Sequence, residues 1–213
     1  MDSQESNLRA AIIKACRRLE ARDLIAASDG NVSCRCQEGC LLITPSGFAK
    51  GELEPSDLAK TDLDGNLLEG SYRASSEIKM HLQVYKNRPD VFAVVHAHPP
   101  LATAFTLVGH PFNSKVLPEV WLMLGRVPVA PYATPSTPEV PKSIAPYVEK
   151  SRAILLQRHG ALTFGGSVEE ACMRMEKLEH AAKTLFYASI LEGRKSPAAM
   201  TDGEIEKLEA ILK

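Results

Sequence analysis

The chain has 213 residues, 45% of them apolar, and a formal net charge of −1. That length suits a single domain spanning residues 1–213, with enough apolar material for a sizeable core. The balanced charge offers no footprint for nucleic acid or an anionic membrane, and no apolar run approaches the roughly 18–20 residues that cross a bilayer.

The opening MDSQESNLRA lacks the basic-then-apolar pattern of a secretory signal. Residues 6–22 place Leu8, Ile12, Ala15, Cys16 and Leu19 at helical spacing and predict an amphipathic helix. AASDGNVSCR follows, rich in small turn formers, and GCLLITPSG reads as a short strand entering a Pro-Ser-Gly turn. The cluster CRCQEGC (Cys34, Cys36, Cys40) has C-x-C-x3-C spacing without a second pair at zinc-finger distance, so its cysteines read as small hydrophobes. Five cysteines, an odd number, fit a reducing cytoplasm better than a disulfide framework.

KTDLDGNLLEG predicts a hairpin, and ASSEIKMHLQVYKNRPD a helix with a serine N-cap and Ile78, Leu82 and Tyr85 on one face. VFAVVHAH reads as a buried strand and PPLATAFTLVG as a helix with proline in its first turn. RVPVAPYATPSTPEV predicts a short strand and a proline-rich loop, and RAILLQRHGALTFGG two strands joined by a His-Gly turn. The stretch 167–193 is the longest predicted helix, with Ser167 as N-cap and Gly193 as C-cap. TDGEIEKLEAILK closes the chain behind a Thr201–Glu204 capping box. Helices mixed with short strands point to a layered α/β domain.

Two histidines two apart on a strand share a face, so His96 and His98 can point the same way. His159 ends another apolar strand. Three neutral imidazoles with an open fourth position are the pattern of a catalytic metal site, although each could instead be an ordinary core or surface histidine. His81, His110 and His180 have no such companions and read as structural. Ser75 and Ser76 stand where a helix begins and could hold a phosphate or simply cap. DGNVS and TPSG are further small-residue loops with free backbone donors.

GNVS, LLITPSG, SSE, AVVHAHPP, APYAT and LLQRHGAL occur in the order and rough spacing of the class II aldolase/adducin-head family, which the chain resembles from about residue 8 to about residue 210. The likeness is greatest to its fuculose-phosphate aldolase branch. The resemblance implies a mostly antiparallel central β-sheet flanked by helices in a three-layer sandwich. It implies a homotetramer with active sites at subunit interfaces. It also implies one Zn²⁺ per subunit on His96, His98 and His159, other divalent metals being possible for such ligands. Glu77 is then the nearby carboxylate, a ligand in the empty site and an acid/base with substrate. The phosphate pocket carries over onto Gly30, Asn31, Ser46, Gly47, Ser75 and Ser76.

The implied activity is cleavage of a small ketose 1-phosphate to dihydroxyacetone phosphate and an aldehyde, through an enediolate that a Lewis-acidic metal stabilises. Glutamate at 77 favours the aldolase branch over the ribulose-phosphate 4-epimerases, which usually carry aspartate, and three intact histidines set the chain apart from inactive adducin-type heads. Two features depart from the fuculose enzymes. No tyrosine follows Tyr187, and VLPEVWLMLG offers Glu119 where they place another tyrosine. In methylthioribulose-1-phosphate dehydratases a glutamate from about that segment is the acid/base; a helix-opening charge after Pro118 is the plainer reading. A dehydratase or a decarboxylase of a phosphorylated keto-acid on the same scaffold is thus the first alternative. A non-catalytic assembly domain is the second.

Overall fold

Alternating side chains build the centre of the molecule. In β5 (Ala93–Ala97), Ala93, Val95 and Ala97 enter one buried apolar cluster and Val94 the other, as the two-residue period of a strand requires. β7 (Ala153–Leu156) and β8 (Gly160–Gly165) divide in the same way, Leu155 and Ala161 to one side, Ile154, Leu156, Leu162 and Phe164 to the other. A strand buried on both faces reads as a continuous apolar run, which is why these segments were legible.

In a computed structural model, residues 3–36, 39–110, 112–193 and 197–211 are described. Gln37 and Glu38 of CRCQEGC, Pro111 of the Gly-His-Pro turn, and the last two residues of the closing segment lie outside them. The remaining strands are β1 (Asn31–Arg35), β2 (Cys40–Ile43), β3 (Ala59–Asp62), β4 (Leu67–Glu69) and β6 (Val129–Ala130). All eight form one sheet in the order β4-β3-β2-β1-β5-β8-β7-β6. Every pairing is antiparallel except β6 with β7.

One face of the sheet is covered by α1 (Ser3–Glu20), α3 (Pro100–Leu107), α4 (Pro118–Leu124) and α6 (Val168–Leu191). The other is covered by α2 (Ile78–Asn87) and α5 (Glu139–Val148). α7 (Asp202–Ala210) packs beside α4. The result is the expected single-domain three-layer sandwich. Ser167 accepts from the Glu170 amide at the start of α6, Gly193 follows its end at φ +68°, and the Thr201–Glu204 capping box opens α7. Among the described residues, no helix is long and apolar enough to cross a membrane.

Three expectations change. α2 has no serine cap: Glu77 holds the N-cap position without a side-chain cap bond, and the buried face is Met80, His81, Val84 and Tyr85 rather than Ile78 and Leu82. The proline-rich segment does not stay a loop but enters α5 at Glu139; Pro141 falls in its first turn, where a missing N–H costs nothing. Cys36 and Cys40 are joined as a disulfide, not left as separate small hydrophobes, because the β1–β2 hairpin brings their Cα atoms to 5.2 Å. Cys34 does stay a buried core thiol, like Cys16 and Cys172.

Candidate active site

The register of the sheet assembles the site. Asn31 at the start of β1 pairs with His96 near the end of β5, and β8 pairs with β5 from its other side. His98 lies one residue past β5, and His159 lies in the turn that joins β7 to β8. Residues 96, 98 and 159 thereby converge with ring centroids 4.7–5.2 Å apart. One ligand nitrogen from each lies within 4.8 Å of the others.

Two glycines permit this approach. A Cβ on Gly160 would stand 2.8 Å from His98 Cδ2 and nearer still to the Ala97 carbonyl oxygen. Gly30 has φ +72°, and a Cβ there would meet Ile25 and the His96 carbonyl oxygen. Only glycine fits either position without a shift.

The imidazoles are oriented from behind. His96 is fully buried, and its Nδ1 lies 2.9 Å from the Ala161 carbonyl oxygen. A carbonyl only accepts, so Nδ1 carries a proton, and in the neutral ring Nε2 presents a lone pair. His98 Nδ1 lies 3.2 Å from Asp29 Oδ2, while its Nε2 faces His96 Nε2 at 3.1 Å. Burial, then the neighbouring rings of His96 and His159, depress the His98 pKa to about 4. The Glu77 carboxylate completes the group: Oε2 is 3.1 Å from His96 Nε2 and Oε1 is 3.3 Å from His159 Nε2. Burial opposes its charge, but where the facing His96 and His159 rings carry a proton on Nε2 they outweigh that and hold the carboxyl well below the ordinary carboxylate range.

Facing lone pairs beside a carboxylate make a site for a cation. Glu77 Oε1 is buried without a hydrogen-bond partner, a costly state that a divalent ion at the three nitrogens would relieve. The donor set fits a metal with imidazole and carboxylate ligands, and carboxylate and carbonyl partners behind the rings are the usual support for such ligands.

The pocket around this group has a volume of about 390 Å³. Gly30, Asn31, Ser46, Gly47, Ser75 and Ser76, the six expected phosphate-pocket residues, all line it together with Glu77, His98 and His159. Glu119 does not: it is exposed in the first turn of α4 and is absent from the lining of this pocket.

Sequence reasoning overlooked several participants. Asp29 was passed over as a turn residue. Lys50, 2% exposed, also lines the pocket, and its Nζ donates to the Ser28 and Phe48 carbonyl oxygens. Ser136 reaches in from the proline-rich loop at φ +63° and donates to Ser76 Oγ at 3.0 Å. His81, read as structural, is fully buried but bonds to Asn31 Oδ1 through Nε2 at 2.6 Å. A lysine shortly after TPSG and a histidine one helical turn after Glu77 were the available signals.

This sequence and fold belong with known proteins. The chain belongs to the class II aldolase and adducin N-terminal domain family, whose model matches residues 10–186. It is 33% identical over 210 residues to a 3-oxo-tetronate 4-phosphate decarboxylase of Escherichia coli strain K12, covering 97% of each chain. It is 35% identical over 172 residues to an L-fuculose phosphate aldolase of Methanococcus maripaludis, covering 80% of this chain and 92% of that one. A solved L-fuculose 1-phosphate aldolase superposes with a TM-score of 0.88 at 31% identity, covering 100% of this chain and 97% of that one. The chain is accordingly an enzyme of the class II aldolase superfamily.

Proposed function

We propose that the protein is a zinc-dependent lyase that decarboxylates a phosphorylated four-carbon 3-oxo acid, with 3-oxo-tetronate 4-phosphate as the model substrate. The observation that carries this choice is end-to-end relatedness to decarboxylases, 33% identity across 97% of both chains. The pocket supports it. Its phosphate loops offer neutral donors, and Lys50 adds a fixed cation next to them, which suits a substrate bearing a carboxylate as well as a phosphate.

In this reading His96, His98 and His159 hold Zn²⁺, and Gly30, Asn31, Ser46, Gly47, Ser75 and Ser76 hold the phosphate. The bound cation supplies a Lewis acid for charge developing on the substrate's carbonyl oxygen. The C1–C2 bond breaks, carbon dioxide leaves, and the electron pair becomes the enediolate across C2 and C3. One proton added at C2 yields dihydroxyacetone phosphate. Glu77 would deliver that proton from Oε1: with the histidines engaged by the cation and the carboxyl off it, the imidazoles no longer donate to the carboxylate, and burial then favours its neutral form.

Cleavage of a ketose 1-phosphate to the same dihydroxyacetone phosphate and an aldehyde is the second reading, favoured by the 35% identity to a fuculose phosphate aldolase. The leaving group alone differs: an aldehyde whose hydroxyl proton must be removed, rather than carbon dioxide. The reading extends to a homotetramer in which Glu119, exposed on α4, serves a neighbouring subunit's pocket.

The test is a paired assay on zinc-loaded protein. 3-Oxo-tetronate 4-phosphate should give carbon dioxide and dihydroxyacetone phosphate in equal amounts, and a chelator should abolish both. Dihydroxyacetone phosphate from ketose 1-phosphates without carbon dioxide would transfer the assignment to the aldolase. A product with its carbon chain whole would indicate dehydration, and no turnover of any member a non-catalytic domain.

A further inference from the structure

Behind Glu77 a buried chain of polar side chains runs from the pocket into the core. Asn31 Nδ2 donates to Glu77 Oε2 at 3.0 Å. Asn31 Oδ1 lies 2.6 Å from His81 Nε2. His81 Nδ1 lies 2.7 Å from Ser33 Oγ, which lies 2.7 Å from the Tyr85 hydroxyl. His81 and Ser33 are 0% exposed, Asn31 3% and Tyr85 4%, so water competes for none of these bonds.

The proton positions follow from the ends of the chain. The Asn31 amide turns its NH₂ toward the Glu77 carboxyl oxygen and its own oxygen toward His81. An amide oxygen only accepts, so His81 Nε2 carries a proton. Burial of the imidazole depresses its pKa to about 3, so the ring is neutral and Nδ1 is an acceptor. Ser33 therefore donates to His81, and the Tyr85 hydroxyl donates to Ser33. Every bond in the chain then runs in one direction, from α2 through β1 back to the residue that opens α2.

We propose that His81 is a positioning residue for Glu77. As the buried Nε2–H tautomer it locks the Asn31 amide with Nδ2 toward Oε2, leaving Oε1 as the carboxylate oxygen without a hydrogen-bond partner. The inference rests on the reading of Glu77 as the proton-handling group. It changes the reading of Asn31: the side-chain oxygen is engaged by His81, and the amide nitrogen serves the carboxylate.

The alternative is that His81 merely fills the core under α2. Two measurements separate the two. The first is ¹⁵N NMR of histidine-labelled protein at pH 7 without substrate or metal. The expected His81 signature is a protonated Nε2 and an unprotonated Nδ1; an Nδ1–H tautomer or an imidazolium would overturn the proposal. Because no substrate is used, this outcome is independent of whether the proposed reaction is right.

The second uses zinc-loaded Asn31→Asp and His81→Phe, assayed on whichever substrate the wild type turns over. Asn31→Asp is isosteric and cannot donate to Glu77. Both variants should lower kcat about 10- to 100-fold, the usual effect of removing a partner behind a metal-site group, with zinc stoichiometry close to wild type and, in His81→Phe, KM close to wild type as well. Unchanged kcat in Asn31→Asp, or a loss fully explained by missing zinc, would refute the role. Should His81→Phe fail to fold, Asn31→Asp still decides the question.

Discussion

Gly160 lies directly against the backbone of Ala97, so close that a side chain there would overlap the Ala97 carbonyl and press on the His98 ring at 2.8 Å. One of the three imidazoles is therefore seated only because the residue after His159 has no Cβ. Gly160→Ala should destabilise the protein by about 1–3 kcal/mol, the usual cost of overpacking a filled interior. It should also lower cation content at fixed free zinc. Thermal unfolding and metal analysis read the two effects, and a variant with wild-type values for both would show that the contact is soft.

If the three imidazoles hold the catalytic cation, His96→Ala and His159→Ala should lose bound metal and turnover together. A chelator should bring the wild type to the same level. Full turnover by a metal-free variant would refute the metal-dependent reading.

Glu77→Gln keeps the shape of the side chain and removes its proton chemistry. We expect zinc stoichiometry to hold while kcat falls about 10²- to 10⁴-fold, the range for loss of a general acid or base. A rate within a few-fold of wild type would move the proton transfer to another group.

Acid should weaken the metal-free protein before its carboxylates titrate. The pKa of His81 falls from 6.5 to about 3 through burial, then the nearby His96, and that of His98 to about 4 through burial, then its imidazole neighbours. Above the ordinary value both rings are neutral whether folded or unfolded, so they add no pH dependence. Below it the unfolded chain binds protons that the folded one refuses, so stability falls with pH. The decline runs down to about pH 4 for His98 and about pH 3 for His81, with a limit of about 1.4 kcal/mol per pH unit for each ring. Denaturant midpoints between pH 7 and pH 5 should drop accordingly. A flat profile there would place protons on these rings in the folded state.

The cysteines of CRCQEGC should not contribute to metal binding, since Cys34 is in the core and Cys36 is bonded to Cys40. Cys34→Ser and Cys40→Ser should leave zinc stoichiometry unchanged; a loss of one equivalent would reveal a second site.

Local pattern was sufficient for much of this molecule. Continuous apolar runs marked β5, β7 and β8, because burial on both faces writes directly into the sequence, and the Ser167 and Gly193 caps marked α6. The motifs AVVHAHPP, SSE and LLQRHGAL singled out His96, His98, His159 and Glu77. Three-dimensional arrangement decided what periodicity cannot carry. The pairing of Asn31 with His96 is a fact of strand register. The recruitment of Lys50, Asp29 and Ser136 depends on loops distant in sequence closing on one pocket, and that of His81 on the packing of α2 against β1 behind it. The N-cap of α2 went unread for the same reason: Glu77 at that position faces His96 of β5 and His159 of the β7–β8 turn, contacts that no local serine pattern encodes. Residue types near one another in sequence show which chemistry is available; the sheet register determines which atoms face each other.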